Sequence, residues 1–184
     1  MTAIEATTPG EVIAFWREAG TRGLWFRKDE AFDRDFRERF AAAHMAAARR
    51  ELDAWADNAE GLLALLILLD QYPRNAYRGS GHMYATDALA RRFARRAIEL
   101  GVHEQVEPAL RLFWCLPFAH SEDAADQQLS VELSTRHSPD SLSHAIDHRD
   151  IVLRFGRFPH RNPMLGRETT AEEAAFLQAG GFAG

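Results

Sequence analysis

The chain has 184 residues, of which 22 are basic and 27 acidic, so its formal net charge is -5 and its pI is about 5.9. This length suits one domain with a substantial core and is short for two. A net acidic chain is poorly suited to neutralising a phosphate backbone. We therefore expect a single domain over residues 1–184 and no nucleic-acid partner.

The sequence disfavours a membrane-spanning helix, a signal peptide and a reactive thiol. The longest apolar run, Leu62 to Leu69, has eight residues, whereas a spanning helix needs about 20. Residues 1–11 contain neither the basic region nor the apolar region of a signal peptide. Cys115 lies in an apolar run, which is typical of a buried thiol. We expect a cytoplasmic protein without a membrane partner.

The first third of the chain shows two amphipathic helices. The segment Thr8 to Glu11 combines a hydroxyl cap, a proline and a reciprocal glutamate, which predicts a helix start, with an end near Gly20. A second helix is predicted from Asp29 onward, because phenylalanines recur at the helical spacing of four residues. They are Phe32, Phe36 and Phe40.

The middle of the chain contains the most apolar predicted helix. Asn58 is placed to cap it, and its leucine-rich composition with little β-branching favours a helix over a strand. We predict a loop from Tyr72 to Gly81. Another helix follows, with an apolar face of Leu89, Phe93, Ala97 and Leu100, and Gly101 suits its C-cap.

The last part of the chain continues the helical pattern. A helix is predicted from Pro108 to the residue before Pro117, and two more from Ser121 to His137 and from Ser141 to Phe155. Thr170 with Glu173 forms the capping box of a short final helix. The sequence therefore predicts an all-α fold of about eight helices, and short connections favour antiparallel hairpins.

Three polar residues beside apolar helices are candidate catalytic groups. Asp70 follows the most apolar run, where a carboxylate needs a cation or hydrogen-bond donors. His120 stands beside Glu122 near a helix start and is a candidate general base. Structural alternatives stay open: Asp70 as a helix-ending salt bridge, His120 as a packed histidine, and Glu122 as an acid in the first turn of a helix that Ser121 caps.

The segment Arg154 to Arg167 is the candidate binding surface. It holds four arginines, one histidine and no acid, and its glycines and prolines make most of it irregular. A shorter echo, Tyr72-Pro73-Arg74-Asn75, follows the apolar helix. We predict that the two segments bind an anion together, through Arg74, Asn75, Arg157, His160, Arg161 and Asn162. The alternative is a basic loop that joins helix ends. The choice of arginine over lysine in these segments is weak evidence for anion recognition, because Lys28 is the only lysine in the chain.

His144 and His148 are four residues apart on a predicted helix, a spacing that helical metal sites use. With eight histidines in the chain, such a pair also arises by chance. Neither HExxH nor a cysteine cluster supports a metal site. We assign no metal ligands and no cofactor, and leave this pair as a hypothesis.

Three stretches carry a family resemblance: LLDQYPRNAYRG (Leu68 to Gly79), PFAHSED (Pro117 to Asp123) and RFGRFPHRN (Arg154 to Asn162), the last followed by LGR. In these stretches the chain resembles the bacterial domain-of-unknown-function family numbered 924, over nearly its whole length. The resemblance implies a tetratricopeptide-like array of helices and no established activity. The chain departs from the family pattern at Arg49-Arg50, where a glycine-containing break is expected.

Two functions follow as hypotheses. The first is a site for a small anionic ligand. If the protein is an enzyme, His120 with Glu122 or Asp70 is its acid/base group. Hydrolysis or transfer of an anionic group is then the reaction class. The second is a non-catalytic helical-repeat module that binds a peptide, including its carboxylate, or a protein partner. Neither hypothesis fixes an oligomeric state.

Overall fold

The computed structural model describes residues 7–184, and within that range the protein is all-α, with no β-strand. The α-helices are α1 (Pro9–Thr21), α2 (Glu30–Ala48), α3 (Ala59–Leu66), α4 (Tyr72–Ala76), α5 (Asp87–Glu99), α6 (Leu112–Ala119), α7 (Ala124–His137), α8 (Leu142–Phe155) and α9 (Ala171–Gln178). Short 3-10 turns lie at Asp53–Asp57, Gly81–Tyr84, Val102–Glu104, Pro108–Leu110, Pro139–Ser141 and Pro159–Arg161. The all-α prediction is confirmed.

Helices α1 and α2 begin where the sequence predicts. Thr8 and Glu11 form a reciprocal capping box, and Asp29 accepts a hydrogen bond from the backbone of the third residue of α2. The predicted phenylalanine face of α2 is buried. Helix α2 ends at Ala48, and Arg50 has a φ of 66°, the left-handed conformation that glycine favours. Arg50 therefore takes the conformation for which the family resemblance led us to expect glycine.

A π-helical segment, Ile67–Gln71, joins α3 to α4 without a break. The prediction of a loop from Tyr72 was therefore wrong for residues 72–76. Pro73 lacks an N–H, but it lies in the first turn of α4, where the wide π turn has already broken the regular hydrogen-bond ladder. Because α3 and α4 form one continuous rod, the described range holds eight helical rods.

Side chains from α2 and from the residue before α5 contact two backbone carbonyl groups of the π segment. The imidazole of His44 lies 2.9 Å from the Leu68 carbonyl, and the Thr86 hydroxyl donates to the Leu69 carbonyl at 2.5 Å. Buried backbone carbonyls need such partners. The interruption in the helix is therefore part of the tertiary structure, which no local pattern in the sequence encodes.

Two other boundaries differ from prediction. Helix α6 does not stop before Pro117 but includes it. Its residues are almost all buried, and this packing offsets the single hydrogen bond that proline cannot donate. The cap of α7 is Asp123, whose side chain accepts two backbone N–H groups, and not Ser121, whose hydroxyl donates to Asp126. The Thr170–Glu173 capping box of α9 is present as predicted.

The main core surrounds α3, which is buried on all sides and packs against α1, α5 and α6. Helix α2 covers α4 and the π segment, while α6, α7 and α8 pack in sequence. Ile151 and Val152 of α8 form a smaller core with Phe158, and Phe176 of α9 packs against it. The tetratricopeptide-like arrangement stays a prediction. Within residues 7–184, no helix combines the length and the apolar character needed to cross a membrane.

Candidate functional site

A buried aspartate and a histidine from two different helices meet at the π segment. Asp70 is 1% exposed and belongs to the π segment, while His120 ends α6. The Nδ1 of His120 lies 2.7 Å from Oδ1 of Asp70. An ionised carboxylate can only accept, so Nδ1 carries the proton. The Nε2 of His120 has no hydrogen-bond partner within the described part of the chain and is left with a free lone pair.

Arginine and amide groups complete the surroundings of Asp70. Gln71 donates to Oδ2 of Asp70 at 2.7 Å, and NH1 of Arg74 lies 3.3 Å from Oδ1. Arg74 also donates to both carboxylate oxygens of Asp87, at 2.8 and 3.0 Å. Burial opposes ionisation of Asp70, but Arg74 and His120 outweigh it and lower the pKa of this carboxyl. Asp70 is therefore a carboxylate at neutral pH.

Arg161 lies at the other end of this cluster and has the weakest pairing of its arginines. Its guanidinium lies over the rings of both Tyr84 and Phe158, 4.5 and 4.4 Å from their centroids. Its one carboxylate contact is to Asp87 at 3.9 Å, and its Nε is buried without a partner. Burial and the charge of Arg74 lower its pKa. A buried cation with one distant counter-charge favours binding of an anion.

Two further histidines lie near Arg161. Burial, with the charges of His120 and Arg161, lowers the pKa of His148 to about 4. Burial and Arg161 likewise lower the pKa of His160 to about 4. Both rings contact Phe182, at centroid distances of 4.5 and 5.0 Å. At neutral pH these side chains are uncharged, so the positive charge at this end of the cluster comes from arginine.

Burial and the charge of Arg74 together lower the pKa of His120, and they outweigh the opposing effect of Asp70. At neutral pH the ring is therefore uncharged. With Nδ1–H directed to Asp70, Nε2 can accept a proton. This is the protonation state that a general base needs.

Glu122 is placed differently from the sequence prediction of an acid that works with His120. Its two oxygens accept hydrogen bonds from Arg167 at 2.6 and 2.9 Å, and one of them also accepts the Phe158 N–H at 2.8 Å. The pKa of Glu122 is lowered because Arg167 and this N–H outweigh burial. Glu122 thus joins the α6–α7 connection to the segment 154–167.

Three of the predicted ligand residues bind elsewhere. Asn75 donates to Asp33 of α2 at 2.7 Å. Arg157 pairs with Glu173 of α9 at 2.6 Å, and Asn162 donates to the same carboxylate at 3.2 Å. Their polar groups are used in joining helices. The sequence grouping of these residues with Arg161 reflects proximity along the chain, while neighbouring side chains of an irregular segment point in different directions.

Three side chains of the cluster were not among the predicted site residues. Tyr84 and Asp87 lie in segments that read as ordinary loop and helix, whereas Arg167 belongs to the candidate binding segment but was not chosen as a ligand. Only packing brings them to Arg74, Arg161 and Glu122. The sequence offered one hint, namely that Asp87 opens the arginine-rich helix α5.

His144 and His148 belong to no group of three possible metal ligands within residues 7–184. The Nδ1–H of His148 instead donates to the His144 carbonyl at 2.7 Å.

The fold and cluster define an all-α protein with a buried ionic network at its helix ends. The chain belongs to the bacterial family described as "Bacterial protein of unknown function (DUF924)", which matches residues 12–181. The chain is also similar to a solved structure, a protein of unknown function (ATU0120) from Agrobacterium tumefaciens. The identity is 54%, the TM-score is 0.90, and the match covers 93% of this chain and 97% of that one. No curated protein matches the chain significantly.

Proposed function

We propose that the cluster of Asp70, Arg74, His120 and Arg161 binds a small anionic molecule and catalyses its hydrolysis or the transfer of its anionic group. The observation that carries this proposal is the His120–Asp70 hydrogen bond, which leaves Nε2 of His120 free as a base. Arg161, with its single carboxylate at 3.9 Å, supplies the cation for the ligand. A histidine oriented by a buried carboxylate is a recurrent general base.

In this mechanism Nε2 of His120 takes a proton from water or from another nucleophile. Asp70 holds the imidazole in the required tautomer and stabilises the imidazolium that forms. Arg161 orients the anionic group, and its charge acts strongly because the surroundings exclude water. Arg74 is a positioning residue, since it holds Asp70 and Asp87 together.

The peptide-binding alternative requires arginines available to a partner in the segment 154–167. Arg154 pairs with Glu172, Arg157 with Glu173 and Arg167 with Glu122. The fourth arginine, Arg161, is buried. These pairings leave no exposed, unpaired arginine in the segment for a peptide carboxylate, and we therefore favour the small-anion hypothesis.

Thermal unfolding with small anions tests the proposal. Inorganic phosphate and a panel of phosphate esters and carboxylates would be compared on wild type, Arg161→Gln and Arg157→Gln. A ligand at 100 times its Kd stabilises the native state by about 2.7 kcal/mol, which for this chain length raises the Tm by roughly 5–10 °C. We expect that rise for wild type and Arg157→Gln, and its loss in Arg161→Gln.

Arg157→Gln is the matched control, because it removes an arginine of the same segment whose charge is already answered by Glu173. For an anion that binds, His120→Gln should keep the thermal shift and abolish turnover of that compound. The proposal fails if no anion in the panel raises the Tm, or if the rise is the same in Arg161→Gln as in wild type.

A further inference from the structure

A second group of titratable side chains lies apart from the His120–Asp70 cluster and shares no residue with it. His103 and Glu104 lie on the 3-10 turn after α5, and His137 is the last residue of α7. One ligand atom from each of the three lies within 4.8 Å of the others. The two imidazole rings are perpendicular, with centroids 4.7 Å apart.

The backbone that carries His103 and Glu104 is fixed by tertiary contacts. Gly101 takes the left-handed conformation that ends α5 and turns the chain. Arg111 then donates to the carbonyls of Glu104 at 3.0 Å and Val106 at 3.2 Å. The backbone of these two ligands therefore does not depend on a free loop, and its position is fixed before any ion binds.

One imidazole nitrogen in the group is left without a protein partner. The Nδ1 of His103 is buried and has no hydrogen bond in the described part of the chain. A buried polar atom without a partner is uncommon, because its desolvation is not offset.

We propose that His103, Glu104 and His137 bind one divalent ion of the late first-row class, with Zn²⁺ as the representative. Two imidazoles and a carboxylate are ligands that suit Zn²⁺, and they discriminate against Mg²⁺ and Ca²⁺, which prefer all-oxygen sites. The ion would join the end of α7 to the connection between α5 and α6.

The spacing of the ligand atoms is compatible with this ion. Tetrahedral coordination at the usual zinc–nitrogen length places ligand atoms roughly 3.4 Å apart. The structure has them within 4.8 Å, so small side-chain rotations complete the geometry. Three protein ligands leave one tetrahedral position for water or for a group from outside the chain.

Isothermal titration of metal-stripped protein that carries no histidine tag tests the site. We expect one Zn²⁺ per chain and a Tm that rises with added Zn²⁺, while Mg²⁺ has no effect. His137→Gln and Glu104→Gln should each weaken Zn²⁺ binding by at least about tenfold, because loss of outer-shell partners alone already costs about 10–100-fold. Glu104 is exposed, so its substitution leaves folding unaffected.

Two matched variants separate this site from other histidines and acids. Glu99→Gln removes an exposed carboxylate near the same turn, and His144→Gln removes an exposed histidine of α8. Both should bind Zn²⁺ as wild type does. The inference is overturned if wild type shows no saturable Zn²⁺ binding, if Glu104→Gln and His137→Gln keep wild-type affinity, or if His144→Gln is the variant that loses it.

Discussion

Asp70 is ionised in the protein interior because three neighbouring groups compensate for the loss of water. Gln71 and the Nδ1–H of His120 donate to it, and Arg74 supplies a positive charge. Each carboxylate oxygen has at least one partner. A buried charge is tolerated only with such compensation. If one member of the group is removed, the charges that remain buried lose a partner, and their desolvation is no longer fully offset.

We predict that Asp70→Asn lowers the free energy of unfolding by about 3 kcal/mol, because it leaves the Arg74 guanidinium buried beside an uncharged amide. Urea unfolding at pH 7 measures this change. Asp150→Asn is the control, since Asp150 pairs with Arg149 and its side chain is 59% exposed; its loss should cost less than about 1 kcal/mol. Equal losses in the two variants would contradict the ascribed role of burial.

Asp70 also shows which features of the site could be predicted from the sequence. An aspartate that follows eight apolar residues must be desolvated, so its need for partners could be predicted. His120 was a separate candidate, 50 residues away along the chain. That the two form a hydrogen bond depends on the packing of α6 against the π segment, which no local property of either sequence stretch specifies.

At the scale of elements, helix starts were predictable and interruptions within helices were not. Capping at Thr8, Asp29, Asn58 and Thr170 depends on side chains within three residues of the cap, and all four caps are present. The π segment depends instead on side chains from α2 and from the loop before α5. Long-range partners of this kind leave no mark on hydrophobic periodicity.

The first turn of α3 packs directly on the chain before it, which makes Gly61 sensitive to substitution. A Cβ at this position would lie 2.0 Å from the carbonyl oxygen of Trp55, a backbone atom that cannot rotate away. We predict that Gly61→Ala destabilises the protein by roughly 2–3 kcal/mol through this overpacking. Chemical denaturation gives the value.

Gly10→Ala is the matched comparison, in the first turn of α1. Its added Cβ would lie 3.3 Å from the end of the flexible Glu60 side chain, which can move. We expect a change within about 0.5 kcal/mol of zero. A Gly61→Ala protein as stable as the Gly10→Ala protein would show that α3 and Trp55 are not in this close contact.

At the scale of the whole molecule, the ionic network connects parts of the chain that are remote in sequence. Glu122 of the α6–α7 connection binds Arg167, and Glu173 of α9 binds Arg157. The segment 154–167, which is irregular once α8 ends at Phe155, is therefore fixed between α7 and α9 by charge pairs and by the smaller core around Phe158. Neutral histidines fill the remaining space beside this segment.

These neutral histidines predict a pH dependence of stability. The pKa values of His148 and His160 are lowered to about 4, below the value of about 6.5 in the unfolded chain. Between pH 6.5 and 4 the unfolded chain binds more protons than the folded protein does. The stabilisation is therefore complete above pH 6.5 and is lost as pH falls toward 4.

Urea unfolding at pH 7 and pH 5 measures this loss. We expect His148→Asn with His160→Asn to reduce the difference between the two pH values. Carboxylates contribute little in this window, since even the strongly paired Glu173, whose pKa is about 2, differs from the unfolded chain only below about pH 4.5. An unchanged difference in the double variant would assign the acid sensitivity to other groups.

The sequence by itself determined the helical class, the buried faces and most helix starts of this protein. These properties come from spacing and capping within a few residues, such as the phenylalanines of α2 and the box at Thr170. It also singled out Asp70, His120 and Arg161, because a charged or titratable group beside an apolar run requires an explanation.

Only the tertiary structure decided which of the singled-out residues meet. It brought His120 to Asp70, directed Asn75 to Asp33 instead, and placed His103 beside His137, 34 residues further along the chain. Contacts of this kind depend on how helices pack and on where irregular segments turn. Short polar stretches encode neither, so the anion site and the metal site become testable proposals only once the fold places their side chains together.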